Sequence, residues 1–208
     1  WSSDVCSSDL GVNRQADLQQ YVGKSVGDIA EAEGKTVIET MLDLSLAGDL
    51  NVEFLGPDKG SNAEFMAEMM HNPYAIPGVS DGGAHTKFFT GGAYTTDFLT
   101  WLVRDEEVVT LEEAHYRLSN LPARAAGFRD RGTLEEGKAA DIVVYDMEEL
   151  AIDPPWIGEA VYDLPGDEWR RVQRAKGYDK IIVNGEVTFD DGECTDATPG
   201  KLLRHGHG

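Results

Sequence analysis

The sequence contains little cysteine, and it has no long apolar run. Its two cysteines, Cys6 and Cys194, stand near opposite ends of 208 residues and form no CxxC spacing. This distribution indicates neither a disulfide framework nor a zinc-thiolate knuckle, so a reducing, cytoplasmic location is expected. No stretch approaches the roughly 18 apolar residues that a membrane-spanning helix needs. The N-terminus also lacks the basic and apolar regions of a signal peptide.

Positive charge is scarce as well. Eighteen Lys and Arg residues against 38 Asp and Glu residues give a formal net charge of −20. Such a chain repels phosphate backbones and anionic lipid surfaces, which argues against nucleic acid or a membrane as partner. Since 41% of the residues are hydrophobic, the chain can still bury a sizeable core. We therefore expect a globular protein of one large domain or two small ones.

The first ten residues, WSSDVCSSDL, differ in composition and pattern from the rest of the chain. They are rich in Ser and Asp and show neither helical nor strand periodicity. They are more similar to a translated sequencing adapter than to a protein segment. We therefore predict that residues 1–10 are a non-native leader, and we base no inference about the fold on Cys6.

Helices and strands are predicted to alternate in the next part of the chain. Capping-box sequences at residues 36–39, 61–64 and 110–113 predict the starts of three helices. Short apolar runs at residues 50–56 and 75–80 follow the first two helices, and each predicts a strand. Alternation of this kind is typical of a parallel sheet that helices cover on both faces. The sequence therefore predicts an α/β fold.

The predicted secondary structure changes after Gly127, from alternating helices and strands to strands. A strand is predicted at residues 140–146, and Asn184-Gly185 lies between two β-rich runs. Asn-Gly between such runs is the strongest short-range signal of a β-hairpin. The last part of the chain is therefore predicted to be a small β-rich unit.

Asp81 lies directly after the predicted strand at residues 75–80, in the stretch SDGGAH. In parallel α/β sheets the carboxyl ends of the strands face the mouth of the active site, so this position favours a functional role. Ser-Asp-Gly is also an ordinary turn sequence, in which the Asp side chain bonds its own backbone and Gly supplies a positive φ. The residues alone leave both interpretations open.

Several ordered motifs accompany this stretch. They are HNPYAIPGVSDGGAH, TLEEAHYRLSNLPARAAGF, GTLEEGKAADIVVYD and TPGKLLR. Together they resemble the C-terminal half of the metal-dependent amidohydrolase superfamily, with the nearest likeness to the N-acyl-D-amino-acid deacylases, or D-aminoacylases. The resemblance implies the C-terminal part of a (β/α)8 TIM-like barrel at residues 11–130. It also implies that strands of a small β-sandwich follow at residues 131–208.

The resemblance further implies a site around Asp81. This aspartate would be a metal-site carboxylate beside a divalent ion, expected to be zinc, and would carry a proton from water to the departing amine. The chemistry is sound, because an amine leaves poorly unless it is protonated. Ser80, Gly82, Gly83 and His85 would contact the substrate or support the aspartate.

The sequence departs from the superfamily in its other metal ligands. A complete barrel usually takes about 250 residues, and only two barrel strands are predicted here. The single HxH, formed by His205 and His207, lies in a glycine-flanked tail and is interpreted as solvated rather than as a ligand pair. His71 and His115 are interpreted as structural residues of helices. The chain by itself is therefore expected to be inactive.

The sequence thus predicts the C-terminal portion of an enzyme that hydrolyses the amide bond of N-acyl-D-amino acids, which are small-molecule substrates. One alternative is a cyclic-amide hydrolase of the same superfamily, of hydantoinase or dihydropyrimidinase type. The other alternative is a non-catalytic module, which would follow if the gene begins near Gly11.

Overall fold

The computed structural model describes residues 5–7, 16–55, 62–78, 80, 82–83, 86–87, 91–153 and 158–205. The chain divides into two compact units, residues 1–61 and 62–208. The described elements are helical and extended in both units, which confirms a mixed α/β protein. Among the described residues, no helix combines the length and hydrophobicity needed to cross a membrane.

The first unit is a small helical layer with one strand pair. Its elements are a 3-10 helix (Ala16–Tyr21), α1 (Val26–Glu33), α2 (Val37–Ala47), and the antiparallel strands β1 (Val5–Ser7) and β2 (Glu53–Leu55). The predicted capping box opens α2, because the Glu39 amide donates to Thr36 Oγ1 at 3.2 Å and the Thr36 amide donates to Glu39 Oε2 at 3.0 Å. The core of this unit consists of Leu18, Val26, Ile29 and Leu44.

The helices of the second unit pack around its larger core. They are α3 (Ala63–His71), α4 (Tyr94–Asp97) with a π-helical continuation (Phe98–Asp105), α5 (Leu111–His115) with a π-helical continuation (Tyr116–Asn120), and α6 (Leu121–Ala125). Their buried apolar side chains meet in one cluster of Ala67, Met70, Phe98, Leu99, Leu102, Val109, Ala114 and Leu150. Leu150 comes from the β-rich part of the chain, so the helices and that part share a core.

The β-rich part of the second unit has eight described strands. They are β3 (Ile142–Tyr145), β4 (Ala151–Asp153), β5 (Glu159–Leu164), β6 (Glu168–Val172), β7 (Arg174–Lys176), β8 (Tyr178–Val183), β9 (Glu186–Asp190) and β10 (Glu193–Cys194). One sheet has the order β10-β9-β8-β3, while β4 pairs with β7 and β5 with β6. The predicted hairpin at Asn184-Gly185 is confirmed, because both residues have positive φ angles, 48° and 85°.

The expected strand at 75–80 is not found in its described part, 75–78 and 80, which is irregular. Every described strand pair is antiparallel, so the parallel sheet stays a prediction. The peptide groups of Ala75 do not bond to a neighbouring strand. Its amide donates to the Asn72 carbonyl at 3.1 Å, and its carbonyl accepts from the Arg117 side chain. The cap of α3 is also displaced by one residue from the expected Ser61, since Asn62 Oδ1 accepts from the Phe65 amide at 2.8 Å.

Candidate functional site

A hydroxyl-capped turn lies at the position that the sequence marks as functional. Ser80 is half-buried, and its Oγ accepts a hydrogen bond from the Gly82 amide at 3.1 Å. Gly82 and Gly83 are exposed, and Gly83 has a φ of 91°. Asp81 and His85, the two residues with the strongest predicted chemistry, lie outside the described residues. Their roles therefore stay predictions.

The turn lies against a second glycine pair, the one at residues 91–92. A Cβ atom placed on Gly82 would lie 3.7 Å from Gly92 Cα and 3.2 Å from Ser80 Oγ. A side chain at residue 82 would therefore crowd its own turn and touch the backbone that leads into α4. The absence of a side chain at Gly82 therefore allows the turn to pack closely against the backbone at Gly92.

Upstream of the turn, Arg117 binds the backbone of the chain, and this arginine is only 4% exposed. Its Nη1 donates to the carbonyl oxygens of Asn72 and Ala75, each at 3.1 Å, and its Nε donates to Glu113 Oε1 at 2.6 Å. Arg117 thereby joins the helical run that begins at α5 to the segment that leads into Ser80. The i,i+4 spacing of Glu113 and Arg117 indicates their helical ion pair in the sequence, but it does not indicate the contacts of Arg117 with Asn72 and Ala75.

Downstream of the turn, the described residues Thr86 and Lys87 contact β6. The Thr86 carbonyl accepts from the Arg171 amide at 2.7 Å, and the Lys87 carbonyl accepts from Arg171 Nε at 2.9 Å. Arg171 is 5% exposed. The pattern of the sequence did not indicate this contact, because the two segments are 84 residues apart.

Two other described histidines, His115 and His205, have hydrogen-bond partners. His115 Nε2 lies 2.7 Å from the Tyr145 hydroxyl, which connects α5 to β3. Burial, together with the neighbouring Tyr178, raises the pKa of Tyr145. His205 Nδ1 lies 2.8 Å from the Ala126 carbonyl, so it is attached to the end of α6 rather than merely solvated as expected. His207, the second member of the HxH, lies outside the described residues.

The described residues do not by themselves form a metal centre. Within them, no group of three or more His, Cys, Asp or Glu side chains is placed to hold a metal ion. An open cleft in the β-rich part is lined by Asp153, Glu159, Val172 and Arg174 and includes none of the predicted site residues.

Comparison with known proteins gives a family and a set of relatives. A model of the amidohydrolase family matches residues 10–189. The chain is 28% identical over 185 residues to an N-acyl-D-aspartate deacylase of Alcaligenes xylosoxydans xylosoxydans, which covers 85% of this chain and 34% of the relative. It is 33% identical over 102 residues to an N-acyl-D-glutamate deacylase of the same organism, which covers 49% of this chain and 18% of the relative.

Dihydroorotases are also among the relatives. That of Lactobacillus acidophilus is 33% identical over 105 residues, which is 44% of this chain and 25% of the relative. The chain thus spans about a third or less of the length of these three relatives.

Two solved structures of D-aminoacylase contain a part whose fold is similar to that of this chain. One matches with a TM-score of 0.52 and 21% identity, and covers 97% of this chain and 37% of the other. The second, from work on the binuclear metal centre of that enzyme, also has a TM-score of 0.52, with 22% identity, and covers 89% of this chain and 35% of the other.

Proposed function

Because the chain belongs to the amidohydrolase family, we propose that it is part of a metal-dependent enzyme that hydrolyses the amide bond of N-acyl-D-amino acids. The observation that carries this proposal is the similarity to an N-acyl-D-aspartate deacylase over 85% of the chain. In this proposal, residues 11–130 contribute to a (β/α)8 barrel, residues 131–208 contribute to the β-sandwich, and the enzyme is cytoplasmic.

Asp81 is the proposed proton carrier. The oxygen of a water molecule forms a bond to the acyl carbon, and one proton of that water passes to the Asp81 carboxylate. The carbon–nitrogen bond then breaks, and Asp81 donates this proton to the departing nitrogen, which gives a carboxylic acid and a free D-amino acid. The acid then releases the remaining proton of the water and becomes a carboxylate. Gly82 and Gly83 leave room beside this residue, and His85 is proposed to contact the substrate or to orient Asp81.

The proposed cofactor is a divalent metal ion, with zinc as the first candidate. When bound, such an ion polarises the acyl carbonyl and lowers the pKa of water. A catalytic zinc site usually takes three protein ligands. Since the described residues contain no cluster of three ligands, the ligands that accompany Asp81 are proposed to lie outside them.

The test is an Asp81→Asn substitution in the full-length protein that contains this chain, loaded with divalent metal. An amide cannot accept and return the proton, so kcat for N-acetyl-D-aspartate and N-acetyl-D-glutamate should fall by about 10²–10⁴, with a smaller change in KM. Asp191→Asn is the control, because Asp191 is an exposed aspartate in a described turn of the β-rich part, with a φ of 49°. A folded, metal-loaded Asp81→Asn enzyme that keeps more than about a tenth of the wild-type kcat would show that Asp81 is only a turn residue.

A cyclic-amide hydrolase is the second candidate, and the similarity to dihydroorotases over 44% of the chain favours it. The two candidates differ in whether the scissile amide lies in a ring. Parallel assays with N-acyl-D-amino acids, dihydroorotate and hydantoin separate them by their kcat/KM values. Turnover of none of these by the metal-loaded full-length protein would favour the non-catalytic module instead.

A further inference from the structure

The chain downstream of the Ser80–Gly83 turn is attached to β6 through its carbonyl groups. Arg171 supplies both donors: its backbone amide bonds the Thr86 carbonyl at 2.7 Å and its Nε bonds the Lys87 carbonyl at 2.9 Å. The same guanidinium donates through Nη1 to the Gly158 carbonyl at 3.3 Å, at the start of the β5–β6 hairpin. One buried residue therefore joins two consecutive peptide groups of the loop to the base of a hairpin.

The Lys87 side chain adds a second attachment to the same strand. Its Nζ forms an ion pair with the Glu168 carboxylate and lies 5.6 Å from the centre of the Trp169 ring. The Arg171 guanidinium carbon also lies 5.6 Å from the centre of that ring. Both distances fall within the range of attraction between a cation and an aromatic face. The indole thus interacts with one cation from the loop and one from β6.

The arrangement is stronger than a surface salt bridge. The Lys87–Glu168 pair is exposed and contributes little by itself. Arg171 is buried, however, and removal of its guanidinium leaves the part-buried Lys87 bond and the buried Gly158 bond without their charged donor. We therefore expect the guanidinium of Arg171 to supply most of the attachment, with the Lys87 contacts as the smaller part.

We propose that Arg171 is a positioning residue that fixes the loop carrying Asp81 and His85. Thr86 follows His85 directly and follows Asp81 by five residues, so an anchor at 86–87 limits where both side chains can lie. Arg117 performs the corresponding task upstream, at Asn72 and Ala75. The catalytic consequence rests on the proposed function, since displacement of a catalytic group by about 1 Å can cost 10²-fold in rate.

The attachment itself is tested without any activity assay, by hydrogen exchange of the 208-residue chain. In Arg171→Met, amides in a peptide spanning 82–90 should exchange roughly tenfold faster than in wild type, because the loop detaches more often. Arg170→Met is the matched control: Arg170 is the neighbouring arginine of β6, its side chain is 43% exposed, and it pairs with Asp163 at 2.6 Å rather than with the loop. Unchanged exchange of 82–90 in a folded Arg171→Met chain would overturn the proposal.

A second pair of variants covers the case in which Arg171→Met fails to fold. Lys87→Met and Glu168→Gln are exposed substitutions that weaken the same attachment from the loop side and from the strand side. Each should raise the exchange of the Arg171 amide, whose hydrogen is bonded to the Thr86 carbonyl, by about twofold to fivefold. If neither variant changes that exchange, the Lys87 contacts do not hold the loop. Arg171→Lys then decides the role of the guanidinium, because a single ammonium cannot serve both the Lys87 and Gly158 carbonyls. Unchanged exchange of 82–90 in folded Arg171→Lys would refute the proposed attachment.

The catalytic consequence is tested in the metal-loaded full-length protein. Arg171→Met should lower kcat about tenfold to a hundredfold with KM within about threefold, Arg171→Lys should recover part of the loss, and Arg170→Met should match wild type. An equal kcat in a folded Arg171→Met enzyme would contradict a positioning role. If wild type itself hydrolyses no amide, the proposed function fails, whereas the exchange measurement still decides whether Arg171 holds the loop.

Discussion

Replacement of Arg117 by methionine is expected to destabilise the second unit strongly. The substitution keeps an apolar stem but removes three hydrogen bonds, two to the carbonyls of Asn72 and Ala75 and one to Glu113. Breaking a buried ion pair by removing one partner typically costs 3–5 kcal/mol. Here the Glu113 side chain is 32% exposed and can regain water. We therefore expect a loss of about 3 kcal/mol, near the lower end of that range.

The assay is urea denaturation of the 208-residue chain, monitored by circular dichroism, which gives the free energy of unfolding. In a thermal unfolding experiment, a loss of about 3 kcal/mol lowers the Tm of a protein of 150–250 residues by about 6–12 °C. Arg117→Lys should be intermediate, because one ammonium group cannot reproduce the fork that serves two carbonyls and a carboxylate. Arg124→Met, an exposed arginine of α6, is the control and should change stability by less than about 0.5 kcal/mol.

A double-mutant cycle separates the ion pair from the carbonyl contacts. Arg117→Met combined with Glu113→Gln should cost less than the sum of the single changes, since the amide leaves no unpaired charge. A loss below about 1 kcal/mol for Arg117→Met would refute the view that this arginine holds the segment leading into the turn.

Two further predictions concern stability. Gly177→Ala should lower the free energy of unfolding, measured by urea denaturation, by about 3 kcal/mol or more, because residue 177 has a φ of 82° and an added Cβ would lie 2.6 Å from the Leu150 amide nitrogen. The control Gly166→Ala, at a φ of 78° with open space around the added Cβ, should cost only about 1 kcal/mol. Equal losses for the two variants would contradict the clash at residue 177. Acid should weaken the fold: hydrogen bonds from Arg131, Arg170 and Lys87 lower the pKa values of Asp130, Asp163 and Glu168, so the folded state binds fewer protons than the unfolded state. The stabilisation is present above the ordinary values of 3.8 and 4.5 and is lost as pH falls through the lowered ones. The stability gap between wild type and Asp163→Asn should therefore narrow between pH 6 and pH 2, and a constant gap would contradict the ion pair.

The features that the sequence predicts correctly depend on neighbours in the chain. The capping box at Thr36 and the Asn184-Gly185 hairpin each involve groups only a few residues apart, so a short pattern contains all the partners. At Thr110 the pattern is half right: its Oγ1 accepts from the Glu113 amide at 3.2 Å, but the Glu113 carboxylate bonds Arg117 instead of closing the box. A local rule therefore fails where a distant group competes for the same carboxylate.

The irregular backbone before Ser80 is likewise explained by a hydrogen bond with a residue distant in sequence. The apolar run at 75–80 favours a strand, yet a strand also needs partners for its peptide groups. In this chain, the Ala75 carbonyl accepts a hydrogen bond from the side chain of Arg117, 42 positions away. Neither this contact nor the Arg171 contact with residues 86–87 has a signature in sequence spacing, which is why the residues that hold the candidate site could not be predicted.

The distance along the chain between Lys87 and Arg171 has a consequence for synthesis on the ribosome. Arg171 is translated 84 residues after the loop that it holds. At 5–20 residues per second, this interval is about 4–17 s, during which the loop has left the ribosome without its anchor. Such late closure is typical of contacts with large sequence separation. We expect nascent chains that end before β6 to contain the helices of the second unit while residues 82–90 remain accessible to protease, and release of β6 to protect them.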